Sequence, residues 1–235
     1  DKTYEALIEF GKSTDTLDPE GEVIETGEIP DFETVEAAVS RLVGYINQVP
    51  PAYSAIHVNG KRSYQLARLN EDMPQLEPRH VTIHEASIIS YEAPFLKVRL
   101  HVSKGTYVRS YARDLGHLCN SCAYVKELYR TAIGPFKVGD AVRYDDAEAL
   151  KAIADSTDDG LGLIGRIPYT SFVTVDETEA FKLSNGAVPY SVRGRLPKDN
   201  VGFVVFMNQT KGLSKAVCIY SVAEGRIICQ VRGES

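Results

Sequence analysis

The sequence predicts an α+β fold, a mixed and largely antiparallel sheet with flanking helices. Three observations carry that reading. Runs that alternate apolar and polar residues follow one another closely, as in "HVTIHEASIISY" (80–91) and "FLKVRLHVS" (95–103). The turn between those two runs is short enough to make them a hairpin. Segments with apolar residues three and four apart are interspersed among the strands instead of following each one in regular alternation.

"KTYEALIEFG" (2–11) mixes β-branched and aromatic residues in alternation and reads as a strand. "TDTLDPEGE" (14–22) is a loop by its Asp, Pro and Gly content, and "VIET" (23–26) resumes a strand. Asp31 caps a helix over "FETVEAAVSRLVGYINQV", which Pro50-Pro51 ends. "YSAIHV" (53–58) reads as a short strand, "RSYQLARL" (62–69) as a short helix, and 70–79 as a polar loop. After the hairpin, a helix spans 107–118, where Ser103 or Thr106 could serve as cap with Tyr107 packed beneath. "AYVKELYRTAIGPFKV" (123–138) suits a strand, and "DDAEALKAIAD" (145–155) a helix capped by Asp145 or Asp146. "STDDGLGLIG" (156–165) has the composition of a linker. Beyond it, a short helix ending at Asn185-Gly186 and three short strands (201–207, 215–221, 226–232) form a small β-rich tail. The expected domains are therefore 1–165 and 166–235.

At 235 residues, with 43% hydrophobic and 25% charged residues, the composition is that of a globular protein. No apolar run reaches the ~20 residues that span a bilayer. Four cysteines do not make a disulfide framework, so the expected compartment is the reducing cytoplasm. Cys119 and Cys122 have CxxC spacing, but no second ligand pair accompanies them, so two buried thiols are expected and no metal or other cofactor.

The net charge of −6 hides an uneven distribution. Residues 97–137 carry eight Lys/Arg against Asp114 and Glu127, and 51–70 contain Lys61, Arg62 and Arg68 with no acid. An acidic protein with two concentrated basic segments presents a basic working face. Within the first of these segments, "SKGTYVRSYARDLG" (103–116) sets Tyr107 and Arg109 two apart at a helix start, offering a phenol and a guanidinium to an anionic partner. Asp15 and Asp18 could be paired carboxylates, although residues of this kind more often hydrogen-bond their own backbone to shape a turn.

Five segments go further. "DKTYEA" (1–6), "GKSTDTLDPEGEV" (11–23), "QVPPAYSAIHVNGKRSYQLAR" (48–68), "SKGTYVRSYARDLG" (103–116) and "ELYRTAIGPF" (127–136) together resemble the TruB-type tRNA pseudouridine synthases, in the family's order and spacing. The resemblance implies a pseudouridine-synthase catalytic domain and, with lower specificity around "FKLSNG" and "EGRIICQVRGE", a C-terminal PUA-like RNA-binding domain. It implies an isomerase that flips a T-loop uridine of tRNA out of its stack and converts it to pseudouridine, detaching the base from C1′ and rejoining it through C5. Tyr107 would be the base that removes the C5 proton. Arg109 would pair with the catalytic aspartate. Tyr4 would stack on the flipped base and Leu128 line the pocket. Lys61 and Arg62 would grip the RNA from an insertion over about 52–79, with Lys104 alongside. The expected partner is the T-arm of tRNA, met by a monomer free of membrane and metal.

The family's nucleophilic aspartate sits in a Gly-x-Leu-Asp-Pro-type motif ahead of the segment matched by "DKTYEA", so it is expected upstream of residue 1. Leu17-Asp18-Pro19 imitates that motif but belongs to the separate TDTxDxxG loop, and Asp18 is read as a turn residue. A chain without that nucleophile leaves an alternative, a non-catalytic tRNA-binding or tRNA-folding protein on the same scaffold.

Overall fold

A computed structural model describes residues 1–54, 57–58, 61–62, 76–148, 151, 164–197, 201–210 and 213–230. The chain divides into two compact units, Asp1–Ala141 and Val142–Ser235.

The first unit is organised by a six-stranded sheet. Its strands, in chain order, are β1 (Lys2–Phe10), β4 (Gly44–Gln48), β7 (Arg79–Glu92), β8 (Phe95–Val102), β9 (Ala123–Ile133) and β10 (Phe136–Lys137); β2 (Lys12–Thr14) with β3 (Val23–Thr26), and β5 (His57–Val58) with β6 (Lys61–Arg62), make two small hairpins. The order across the large sheet is β10-β9-β1-β8-β7-β4, and every pairing is antiparallel. Alternation decides which face is covered. In β8, Leu96, Val98, Leu100 and Val102 are buried while Lys97 and Arg99 point the other way. Helices α1 (Phe32–Arg41) and α2 (Val108–Leu118) bring Val35, Ala38, Val39, Tyr111, Ala112 and Leu115 into the same core cluster. Each fully buried aliphatic side chain there contributes ~1.5–3 kcal/mol.

The N-terminus of α1 is the one expected: Asp31 accepts a hydrogen bond from the Thr34 amide at 2.8 Å. Its C-terminus is not. The helix stops at Arg41, and Gly44, at φ +108°, turns the chain into β4, which pairs with β7 from Gly44↔Ile83 to Gln48↔Arg79. Three-and-four spacing in the apolar residues here coexists with alternation, and a glycine in a backbone region closed to other residues selects the strand.

The expected hairpin of 80–91 and 95–103 forms as β7 and β8, and the helix expected over 107–118 forms as α2. Tyr107, not Ser103 or Thr106, is the N-cap residue of α2, and no side chain closes that cap. Of the strand read at 53–58, only His57–Val58 is a strand among the described residues. The helix read at 62–69 falls beyond Arg62 outside the described residues, as does most of the one read at 145–155.

In the second unit, β11 (Thr170–Val175), β12 (Phe203–Thr210), β13 (Leu213–Ser221) and β14 (Arg226–Gln230) form one sheet in that order. Strand β11 was not among the three read from sequence, and it pairs parallel to β12. Between them lie α3 (Glu177–Ser184) and α4 (Tyr190–Arg193). Asp176 and Glu179 make a reciprocal capping box at the start of α3. Val175, Leu183, Val192, Val204, Phe206, Val217 and Cys218 are the buried core of this unit. Among the described residues no helix is long and apolar enough to cross a membrane.

Candidate active site

The 14–22 loop joins β2 to β3, and its own side chains shape it. Thr14 Oγ1 donates to the Asp18 carbonyl at 2.7 Å, Thr16 Oγ1 donates to Asp18 Oδ1 at 2.6 Å, and the Glu20 amide donates to the same oxygen at 3.1 Å. Asp15 Oδ1 accepts from the Glu22 amide at 3.0 Å. The loop closes so tightly that a Cβ on Gly21 would lie 2.2 Å from Asp15 Oδ1 and 2.8 Å from the Thr16 backbone nitrogen, so glycine is required there. Buried Leu17, at φ +61°, anchors the loop to the sheet through its carbonyl, which accepts from the Val125 amide.

Against this loop stands the start of α2. Gln48, the last residue of β4 and 2% exposed, accepts from the Tyr107 amide at 2.8 Å and donates to the Tyr107 carbonyl at 3.1 Å. Ser110 Oγ ties the next turn to the Val49 carbonyl at 2.8 Å. From a helix start fixed in this way, the Arg109 guanidinium meets three oxygens: Asp18 Oδ2 at 2.8 Å, the Thr16 carbonyl at 3.0 Å and the Tyr53 carbonyl at 2.8 Å. Asp18 and Arg109 are each about 25% exposed, so their attraction is only partly screened.

Tyr107, Arg109, Asp18, Asp15, Tyr53 and Ser54 line a cavity of about 850 Å³. That volume is of the size that takes a small molecule or one extruded nucleotide. Ser54 is buried, and its Oγ has no hydrogen-bond partner among the described residues.

The structure thus brings Tyr107 and Arg109 together at one cavity. Tyr4, on β1 opposite Leu100 and Arg130, is packed against the core and is not among the residues lining it. Leu128 is 47% exposed on β9, and Lys104 is exposed in the turn ahead of α2. Lys61 and Arg62 form β6, and their side chains fall outside what is described.

Sequence reasoning missed two members of this arrangement. Asp18 does shape the turn, but its second oxygen also holds Arg109. Gln48 was passed over altogether. Both lie in the stretches "TDTLDPEG" and "QVPPAYS" that carried the family resemblance, and that was the signal available. Cys119 and Cys122 are buried at the end of α2, where burial pushes both thiols up, Cys119 to about 11.

Three kinds of comparison bear on this geometry. The family model described as TruB family pseudouridylate synthase (N terminal domain) matches residues 1–108. The chain is 34% identical over 220 residues to the tRNA pseudouridine synthase B of Caldanaerobacter subterraneus subsp. tengcongensis, a match that covers 90% of this chain and 74% of that protein. It is 42% identical over 144 residues to the tRNA pseudouridine synthase B of Borreliella afzelii (strain PKo), covering 60% of this chain and 51% of that protein. The chain therefore spans about half the length of several curated relatives that it matches. Among solved structures, one described as a Cbf5-Nop10-Gar1 complex aligns over 100% of this chain and 65% of that one, with a TM-score of 0.55 and 18% identity, a likeness of fold alone.

Proposed function

The chain belongs to the TruB family of pseudouridylate synthases, and on that premise we propose that it isomerises a T-loop uridine of tRNA to pseudouridine. The observation that carries the proposal is the juxtaposition of Tyr107 and Arg109 at a cavity of about 850 Å³ beside a basic stretch of chain. The C1′–N1 bond of the flipped nucleotide breaks and a C1′–C5 bond forms. The proton on C5 leaves, and N1 gains one. Nothing is oxidised or reduced, so the reaction asks for no cofactor.

In this reading Tyr107 takes the C5 proton. The Arg109 guanidinium lines the same cavity as this phenol. Arg109 presents five N–H donors, of which three described oxygens occupy part. The remainder receives the nucleophilic carboxylate, which the family pattern puts ahead of the "DKTYEA" segment. Tyr4 and Leu128 do not line the cavity, so a contact of either with the extruded base rests on the family pattern alone. Lys61, Arg62 and Lys104 contact the RNA backbone, with 52–79 as the insertion that grips the T loop and 166–235 as the PUA-like RNA-binding domain. The protein acts as a monomer in the cytoplasm, where its free cysteines stay reduced.

The test is turnover of a T-arm RNA by the full-length protein, followed as release of the C5 hydrogen, beside filter binding of the same RNA. Tyr107→Phe should lose ~10²–10⁴-fold in rate, the range of general base catalysis, and Arg109→Ala should be crippled while affinity changes less than about tenfold. Parental rates in both variants would overturn the assignment. Tight binding with no turnover by the parent would favour a tRNA-folding protein instead.

A further inference from the structure

On the sheet face turned away from the two helices, the first residue ahead of β1 meets two histidines. His84 lies at a β-bulge in β7, between Ile83 and Glu85, and the bulge leaves His84 and Glu85, consecutive residues, both exposed. Re-aiming a side chain is a recurrent use of such bulges. Here it sends His84 over β8, where its ring centroid lies 4.8 Å from that of His101 with the planes tilted by 40°. His101 is opposite Thr3 of β1, so Asp1 stands on the same face two residues along. The Asp1 carbonyl is fixed by the Gly134 amide at 2.9 Å, and its carboxylate lies 3.3 Å from His84 Nε2. One ligand atom from each of Asp1, His84 and His101 lies within 4.8 Å of the others. The neighbouring cation on this face, Arg99, is already held by Glu5 at 2.9 Å.

We propose that Asp1, His84 and His101 bind a divalent transition-metal ion of the zinc class. Two imidazole nitrogens with one carboxylate suit zinc, cobalt or nickel, whereas magnesium and calcium prefer oxygen alone. Metal–ligand bonds of ~2.0–2.2 Å in a tetrahedral site put ligand atoms ~3.4 Å apart. Asp1 and His84 are exposed and His101 is half-buried, so small torsional changes reach that spacing, with water completing the coordination. Among the described residues none of the three lines the cavity of Tyr107 and Arg109, so this is a separate site. It would cross-link β1, β7 and β8 at one end of the sheet, just ahead of Tyr4. The sequence does not point to it, because the three ligands are far apart in the chain and meet only through strand register.

Titration of tag-free protein with cobalt chloride, read by visible absorption and competed with zinc chloride, tests the proposal. One equivalent should bind, and zinc should displace it and raise the melting temperature. His84→Ala and His101→Ala should each weaken binding by about tenfold or more while melting like the parent without metal. Cys229→Ser, which removes the exposed thiol, should bind as the parent does. An ordinary surface ion pair would give no saturable binding. That result, parental binding by both alanine variants, or loss of binding with Cys229→Ser would each overturn the proposal.

Discussion

Arg109 holds Asp18 at 2.8 Å across 91 residues of sequence. The pair joins a helix start to a loop that could keep its turn without help, since Asp18 Oδ1 is already satisfied by Thr16 and Glu20. The contact through Oδ2 therefore serves the guanidinium more than the turn. Asp18→Asn preserves the local bonds and removes the charge that orients Arg109. Turnover of a T-arm RNA by the full-length variant should fall ~10–100-fold, as expected for a group misplaced by a fraction of an ångström to an ångström. Its RNA affinity should hold. An unchanged rate would return Asp18 to a purely turn-forming role.

Gln48→Ala removes both hydrogen bonds to the Tyr107 backbone and leaves the part-buried Tyr107 amide without its partner, while the Tyr107 carbonyl keeps its bond from the Tyr111 amide at 3.0 Å. The expected cost is ~1–3 kcal/mol, read as a lower midpoint in urea at unchanged slope. Gln48→Glu keeps one acceptor and should recover part of the loss.

Tyr111→Phe should stabilise. Tyr111 is fully buried in α2, burial pushes its phenol up, and its hydroxyl has no hydrogen-bond partner among the described residues. Removing an oxygen that lost its water without replacement should gain ~1 kcal/mol and raise the melting temperature. A fall of similar size would reveal a partner for that hydroxyl.

Glu9 sets a term in the acid limb of stability. Burial works against its charged form, but bonds from Lys126 at 2.7 Å, Tyr124 at 2.7 Å and Lys12 at 3.4 Å outweigh it and hold the carboxyl below its ordinary 4.5. A depressed folded value means the stabilisation is fully present above 4.5 and disappears as pH falls through the lower value. Glu9→Gln should cost ~1–3 kcal/mol at neutral pH and flatten stability against pH on the acid side. Urea midpoints from neutral pH down through the carboxylate range check the sign.

Local pattern made much of this legible. Alternation identified β7 and β8, and the sequence sets Tyr107 and Arg109 two apart at a helix start, where both line the cavity. What stayed hidden depends on contacts that local pattern does not encode. Asp18 already had a sufficient role in its own turn, so its bond to Arg109 left no trace in the neighbouring residues. At Gly44 one stretch satisfies both helical and strand periodicity, and only a backbone angle decides. The meeting of His84 and His101 needs the register of two strands and the bulge between Ile83 and Glu85.

Three ties at the cavity and its flank are long: 59 residues separate Gln48 from Tyr107, 91 separate Asp18 from Arg109, and 117 separate Glu9 from Lys126. Closing such loops costs entropy before any bond compensates it, and each tie is a side-chain bond between elements that must already be placed, so it completes after the sheet that carries them. Contacts formed late on the folding route act mainly on the escape rate from the native state. Loosening these pairs should thus steepen the loss of native protein over time, through faster opening, while newly diluted chains still reach the folded form at their usual speed.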